Sequence, residues 1–125
     1  MIIEDEQDIL VLLRDYLSGQ GHEVVSCYLD ANNILTDFNK NQPDICLIDY
    51  KLPGNKNGIE AAIEILNKYP SMPILFITAH ESIEEEFSKY PMLQDKNIQV
   101  LVKPVKLLQF EIAIFDIVKK ERKVD

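Results

Sequence analysis

The chain has 125 residues, of which 46% are hydrophobic and 27% charged. That is one domain with a real core, and it excludes a disordered tail. A formal net charge of −8 argues against nucleic-acid binding, which asks for a basic face.

No apolar run approaches the roughly 20 residues a spanning helix needs. The N-terminus reads MIIEDE, acidic where a secretion signal would be basic. The only cysteines, Cys27 and Cys46, each sit in an apolar stretch and read as buried free thiols. Together these features predict a cytoplasmic, reducing location, with no membrane partner.

Along the chain, short apolar runs alternate with helical patterns. The runs are Met1–Ile3, Val24–Cys27, Ile45–Ile48, Ile74–Thr78 and Ile98–Val102. Several are continuously apolar, as strands covered on both faces are. The first helix is expected over about Gln7–Ser18, with Ile9, Leu13, Tyr16 and Leu17 inward and a Gly19–Gly21 ending. A short second helix follows at about Ala31–Lys40. In the third, Ile59, Ala62, Ile63 and Leu66 share one face; Asn57 is its expected N-cap and Pro70 its stop. The fourth, about Ser82–Lys89, is acidic and poorly amphipathic. The fifth runs from about Leu107 to Lys120 and ends in KKERK, basic residues that suit its C-terminal dipole.

Alternating strands and helices predict a (βα)5 chain: a doubly wound α/β domain with a parallel sheet and helices on both faces. Ligand chemistry in such sheets gathers at the carboxyl ends of the strands. The first strand ends in Glu4-Asp5-Glu6, the third in Asp49, the fourth in Thr78-Ala79-His80 and the fifth in Lys103-Pro104. Three carboxylates, a hydroxyl and an ammonium should therefore converge on one edge. Clustered carboxylates stay ionised only beside a cation. An oxygen-only set suits Mg²⁺, with Mn²⁺ as the alternative. A carboxylate can also attack phosphorus and form an aspartyl phosphate.

With IIEDE at 2–6, IDYKLPG at 48–54, NGIE at 57–60, ITA at 77–79 and LVKP at 101–104, the chain resembles a response-regulator receiver domain of two-component signalling. The resemblance covers essentially the whole chain. It implies a flavodoxin-like five-stranded sheet of order 2-1-3-4-5. It also implies that Asp49 is phosphorylated by a sensor histidine kinase or a phosphotransfer protein. Asp5 and Asp49 would hold Mg²⁺, with Glu4 acting on it directly or through water, and the Lys51 backbone carbonyl would be a further ligand. Thr78 and Lys103 would contact the phosphoryl group, and a cis peptide would precede Pro104. Such a domain catalyses only its own phosphorylation and dephosphorylation. It is read here as a single unit over residues 1–125 without an output domain, so the signal leaves by contact with a downstream protein.

The sequence departs from that family in four places. Gly58 falls nine residues after Asp49, where eight is usual, so the GNKN loop carries one extra residue. The position often held by a switch aromatic is Val100. The segment from Thr78 to Lys103 is about three residues longer than usual, with Tyr90-Pro91 interrupting the fourth helix. Only three residues form the first strand, which is either clipped or begins upstream.

Each residue also has a plain structural reading. Asp49 alone could be a turn residue. Glu6 could be a first-turn helix acid. His80 reads as a loop residue near the site, His22 as structural, and the 84–86 EEE run as a solvated face. Lys51 either affects phosphoryl lifetime or is simply exposed. From Leu107 to Val118 nine of twelve residues are apolar, more than one buried stripe requires. Phe110, Ile114 and Ile117 make one stripe. Leu108, Ile112 and Phe115 make a second, either covered by the segment before the fifth strand or forming, with Val100, a partner face. A homodimer through the face of the fourth helix, fifth strand and fifth helix is one form of it. Two rival functions remain: a pseudo-receiver that docks without phosphorylation, and a small Mg²⁺-dependent phosphohydrolase. The hydrolase usually needs a second aspartate where Lys51 stands.

Overall fold

The computed structural model describes residues 1–38, 42–79 and 83–122, without the side chains of Asp37, Glu84, Lys120, Glu121 and Arg122. The elements are β1 (Ile2–Ile3), α1 (Gln7–Gly19), β2 (Cys27–Tyr28), α2 (Ile34–Phe38), β3 (Cys46–Asp49), α3 (Gly58–Lys68), β4 (Ile74–Thr78), α4 (Ile83–Ser88), a 3₁₀ turn (Pro91–Leu93), β5 (Ile98–Val102) and α5 (Leu107–Arg122). The five strands form one parallel sheet in the order β2-β1-β3-β4-β5. This is the flavodoxin-like doubly wound arrangement.

Side chains alternate along each strand and feed two cores. Ile2, Leu47, Leu75 and Ile77 meet Leu10, Leu13 and Leu17 of α1 and Phe110, Ala113 and Ile114 of α5. Ile3, Ile48, Ile74 and Phe76 meet α2, α3 and α4 on the other face through Phe38, Ile59, Ile65 and Ile83. β3 and β4 are buried throughout, which is why they read as unbroken apolar runs.

β4 and β5 fall on their predicted residues; the other elements shift for local reasons. β1 pairs only two residues on each side, Ile2 with Cys27 and Leu47 and Ile3 with Tyr28 and Ile48. So β2 cannot begin at Val24. It is confined to the stretch opposite β1, closed by Ile2 N–H to Ser26 O and Glu4 N–H to Tyr28 O at 3.0 Å each. β3 runs one residue further than expected and includes Asp49. The buried stripe of α1 is Leu10, Leu13 and Leu17; Ile9 and Tyr16 are only half-buried at its edge. Gly21, at φ +94°, reverses the chain after α1, and His22 N–H reaches Leu17 O at 3.0 Å. α2 starts later than Ala31 because Asp30 Oδ1 accepts Asn32 N–H at 3.0 Å, which keeps that segment in a turn. Its predicted end at Lys40 lies outside the described residues, as do Ser82 at the predicted start of α4 and Lys123 of the KKERK run.

Asn57 caps α3 reciprocally with Glu60: Asn57 Oδ1 accepts Glu60 N–H at 2.9 Å, and Glu60 Oε1 accepts Asn57 N–H at 3.0 Å. Pro91 ends the fourth helical segment and sets up the 3₁₀ turn, which buries Leu93. Both cysteines are free, but only Cys46 is buried; Cys27 is half-buried on an edge strand. Burial pushes the Cys46 thiol up to about 12. Among the described residues, no helix is long and apolar enough to cross a membrane.

Candidate phosphoacceptor and metal site

The carboxyl edge of the sheet collects the chemistry. Strand register fixes the placement, since Ile3 lies beside Ile48, Asp49 beside Ile77 and Thr78 beside Val102. Glu4 leaves β1, Asp49 ends β3, Thr78 ends β4, and Lys103 follows β5. Carboxylate oxygens of Glu4, Asp5 and Asp49 lie within 4.8 Å of one another. Glu4 and Asp49 are 1% and 4% exposed, while Asp5 is open to solvent.

Asp49 is held from both sides. Lys103 Nζ donates to its Oδ2 at 3.0 Å, and Lys51 N–H donates to its Oδ1 at 3.2 Å. Lys103 is anchored in turn, its N–H bonding Thr78 O at 2.7 Å. The Lys103–Pro104 peptide is cis, as the resemblance implied. Burial disfavours the Lys103 ammonium. The hydrogen bond and charge of Asp49, with the charges of Glu4 and Glu6, outweigh it and raise its pKa above the ordinary lysine value.

Glu4 is the outlier. Its Oε1 is 3.6 Å from Lys103 Nζ, yet neither carboxylate oxygen has a hydrogen-bond donor. Burial, then a hydrogen bond to Asp49 and the Asp49 charge, push Glu4 up to about 8; Lys103 opposes this in part. The two observations agree if Glu4 carries a proton. As a carboxylate it finds no donor, and as an acid it can donate to Asp49. In its ionised form, without a donor and beside two other carboxylates, Glu4 marks a place for a cation.

Thr78 is buried at this edge. Lys51 turns its side chain to solvent. Glu6 is exposed in the approach to α1. His80 lies outside the described residues. His22 is far from the site and bonds Glu111 of α5, Nε2 to Oε1 at 2.5 Å. Of the EEE run, Glu85 is exposed, but Glu86 is half-buried and pairs with Lys89 at 3.0 Å, so the run is not uniformly solvated. Gly54 turns at φ +89° beside the Asn32 side chain, and Lys56 Nζ bonds Glu64 Oε2 of α3 at 2.5 Å.

Two site features escaped the sequence reading. One is the Lys51 N–H on Asp49, which no side-chain pattern signals. The other is Tyr50, half-buried against the α3–α4 core. Burial, then the charge of Glu86, raises its hydroxyl above the usual tyrosine range.

The profile of the response regulator receiver domain matches residues 1–115. The chain belongs to the response-regulator receiver domain family. Receiver domains are signalling modules of two-component response regulators. The receiver domain of NtrX from Brucella abortus superposes with a TM-score of 0.79 at 26% identity, covering 94% of this chain and 96% of that one. A response regulator receiver domain protein from Clostridium thermocellum gives 0.82 at 25% identity, covering 99% and 96%. The signal receiver domain of a modulated diguanylate cyclase from Desulfovibrio desulfuricans G20 gives 0.83 at 24% identity, covering 99% and 95%, and speaks to the fold alone.

The structure separates the residues expected on the partner face. Val100 is half-buried in the core shared with α3 and α4 and lines a groove with Phe87, Leu93 and Ile98. Leu108, Ile112 and Phe115 lie on the outer face of α5, which packs on the opposite side of the sheet. They are 65%, 54% and 65% exposed. The described part of the segment before β5 does not cover them.

Proposed function

We propose that this receiver domain accepts a phosphoryl group on Asp49 from a histidine kinase or phosphotransfer protein, with Mg²⁺ bound beside it. The observation that carries the reading is the Asp49 carboxylate, buried at the end of β3, gripped by Lys103 at 3.0 Å and crowded by Glu4 and Asp5. A carboxylate in that position is a preformed nucleophile with a compensating ammonium already in place.

In the reaction, one Asp49 oxygen bonds to phosphorus while the bond from phosphorus to the donor nitrogen breaks, and the departing imidazole keeps that electron pair. Lys103 then shifts from Asp49 to an oxygen of the phosphoryl group, and the Lys51 N–H lies within reach of the same group. The Thr78 hydroxyl, at the end of the adjacent strand, donates to another phosphoryl oxygen. Glu4, Asp5 and Asp49 would hold the metal, joined by the Lys51 carbonyl. When bound, Mg²⁺ would neutralise charge on the transferred phosphoryl oxygens. Glu4 would give up its proton on metal binding, because its orphaned oxygens then gain a cation.

The test is intact-protein mass spectrometry after incubation with a small phosphodonor and Mg²⁺. One added phosphoryl group, lost in Asp49→Asn and in chelator, supports the reading. No adduct with the donor, and no beryllofluoride complex at Asp49, would leave a pseudo-receiver, a docking module of the same fold.

A further inference from the structure

We propose that the exposed apolar stripe of α5 is the contact through which two copies of this chain pair, helix against helix and antiparallel. A helix resting on a sheet needs one apolar stripe, and α5 has it in Phe110, Ala113, Ile114 and Ile117, all buried. Leu108, Ile112 and Phe115 point the other way and are more than half exposed. Lys119 continues their line, its ammonium 5.8 Å from the centre of the Phe115 ring, so its stem lies along the stripe. The four positions advance in steps of four, three and four, the spacing of a seam between two helices that wind about each other.

The charges around the seam choose the occupant and its direction. In a parallel pair each seam residue meets its own copy, so Lys119 would face Lys119. The flanking Glu111 would also face Asp116 of the second copy, a contact between two acids. An antiparallel pair removes both conflicts. Ile112 then packs on Phe115 of the second copy, and Leu108 packs on the Lys119 stem. Gln109 meets Asp116 as amide to carboxylate, Glu111 meets Val118, and the Lys119 ammonium lies next to Glu111 of the second copy, whose Oε1 is held by His22 of its own chain and whose Oε2 is left for the contact. The seam is therefore complementary to itself in one direction only, as a twofold interface requires. Each copy carries a net charge of −8, which opposes association at long range. Added salt screens that repulsion and strengthens the pair.

The experiment is sedimentation of the full chain over a concentration series at low and high salt, beside Ile112→Glu. The expected result is a dimer favoured by high salt and reduced at least tenfold in association constant by the substitution. Ile112 is on the surface, so an unchanged thermal melt shows that the variant is folded. Orientation is read by oxidative cross-linking in a Cys27→Ser background. Leu108→Cys copies mixed with Lys119→Cys copies should cross-link, and neither should cross-link with itself. A chain that stays monomeric at the highest concentration and salt overturns the proposal. So does a dimer indifferent to Ile112→Glu, or one in which Leu108→Cys cross-links to itself more readily than to Lys119→Cys.

Discussion

The Lys103 ammonium lies 3.0 Å from Asp49 Oδ2 although 54 residues separate the two in the chain. Adjacent parallel strands close that distance: Asp49 sits beside Ile77 and Thr78 beside Val102, and each functional residue lies on or just past its strand end. The pair is the electrostatic centre of the site, since the same ammonium is 3.6 Å from Glu4.

Replacing Lys103 by Met should keep much of the stem packing and remove the charge. Phosphorylation of Asp49 by a small phosphodonor is expected to slow by about 10²-fold, the usual cost of losing one preorganised donor to developing negative charge. The rate is read by the appearance of the phosphorylated mass.

Stability in chelator should fall as pH rises. Glu4 in the folded chain is raised from 4.5 to about 8. The folded state therefore holds a proton that the unfolded state has released between those values. That stabilisation is fully present below about 4.5 and is lost as pH climbs through 8. Denaturant midpoints at several pH values should show this slope, and Glu4→Gln should flatten it. Excess Mg²⁺ should offset the loss at high pH by binding the ionised cluster. A flat profile in the wild type would contradict the protonated state of Glu4.

Gly58→Ala should damage both fold and site. An added Cβ would lie 2.4 Å from Asp49 O and 2.7 Å from Tyr50 Cα, both backbone atoms that cannot turn away. The change also strains the bond from Gly58 N–H to Tyr50 O at 2.7 Å. A loss of about 1–3 kcal/mol is expected, measured by chemical denaturation. Phosphorylation should slow as well, because the displaced backbone carries Asp49.

Asn57→Ala tests the cap alone. It removes the Oδ1 acceptor of Glu60 N–H without touching the sheet, and should cost about 1 kcal/mol. The rate at Asp49 should stay near wild type, which separates loss of stability from loss of chemistry.

Much of this molecule was already legible in the order of its residues. The run Ile74–Thr78 announced its strand because β4 is buried along its whole length and leaves no alternating polar positions. The half-buried edge strand β5 carries Gln99 within its run and was marked by its β-branched and aliphatic residues instead. Asn57 with Glu60 announced the start of α3 because a capping box is local chemistry. Strand ends then named Glu4, Asp5, Asp49, Thr78 and Lys103 as one cluster, since parallel topology sends every strand's carboxyl end to the same edge. Tertiary structure decided what depends on neighbours far along the chain. β2 slid to Cys27–Tyr28 because β1 offers only two residues to pair. The inward face of α1 turned to Leu10 because α1 packs against α5 as well as the sheet. Glu4 became a buried acid without a donor only once Asp49 and Lys103 were placed around it. Nothing in residues 1–6 encodes that environment, because burial and field are properties of the assembled edge and not of any one segment.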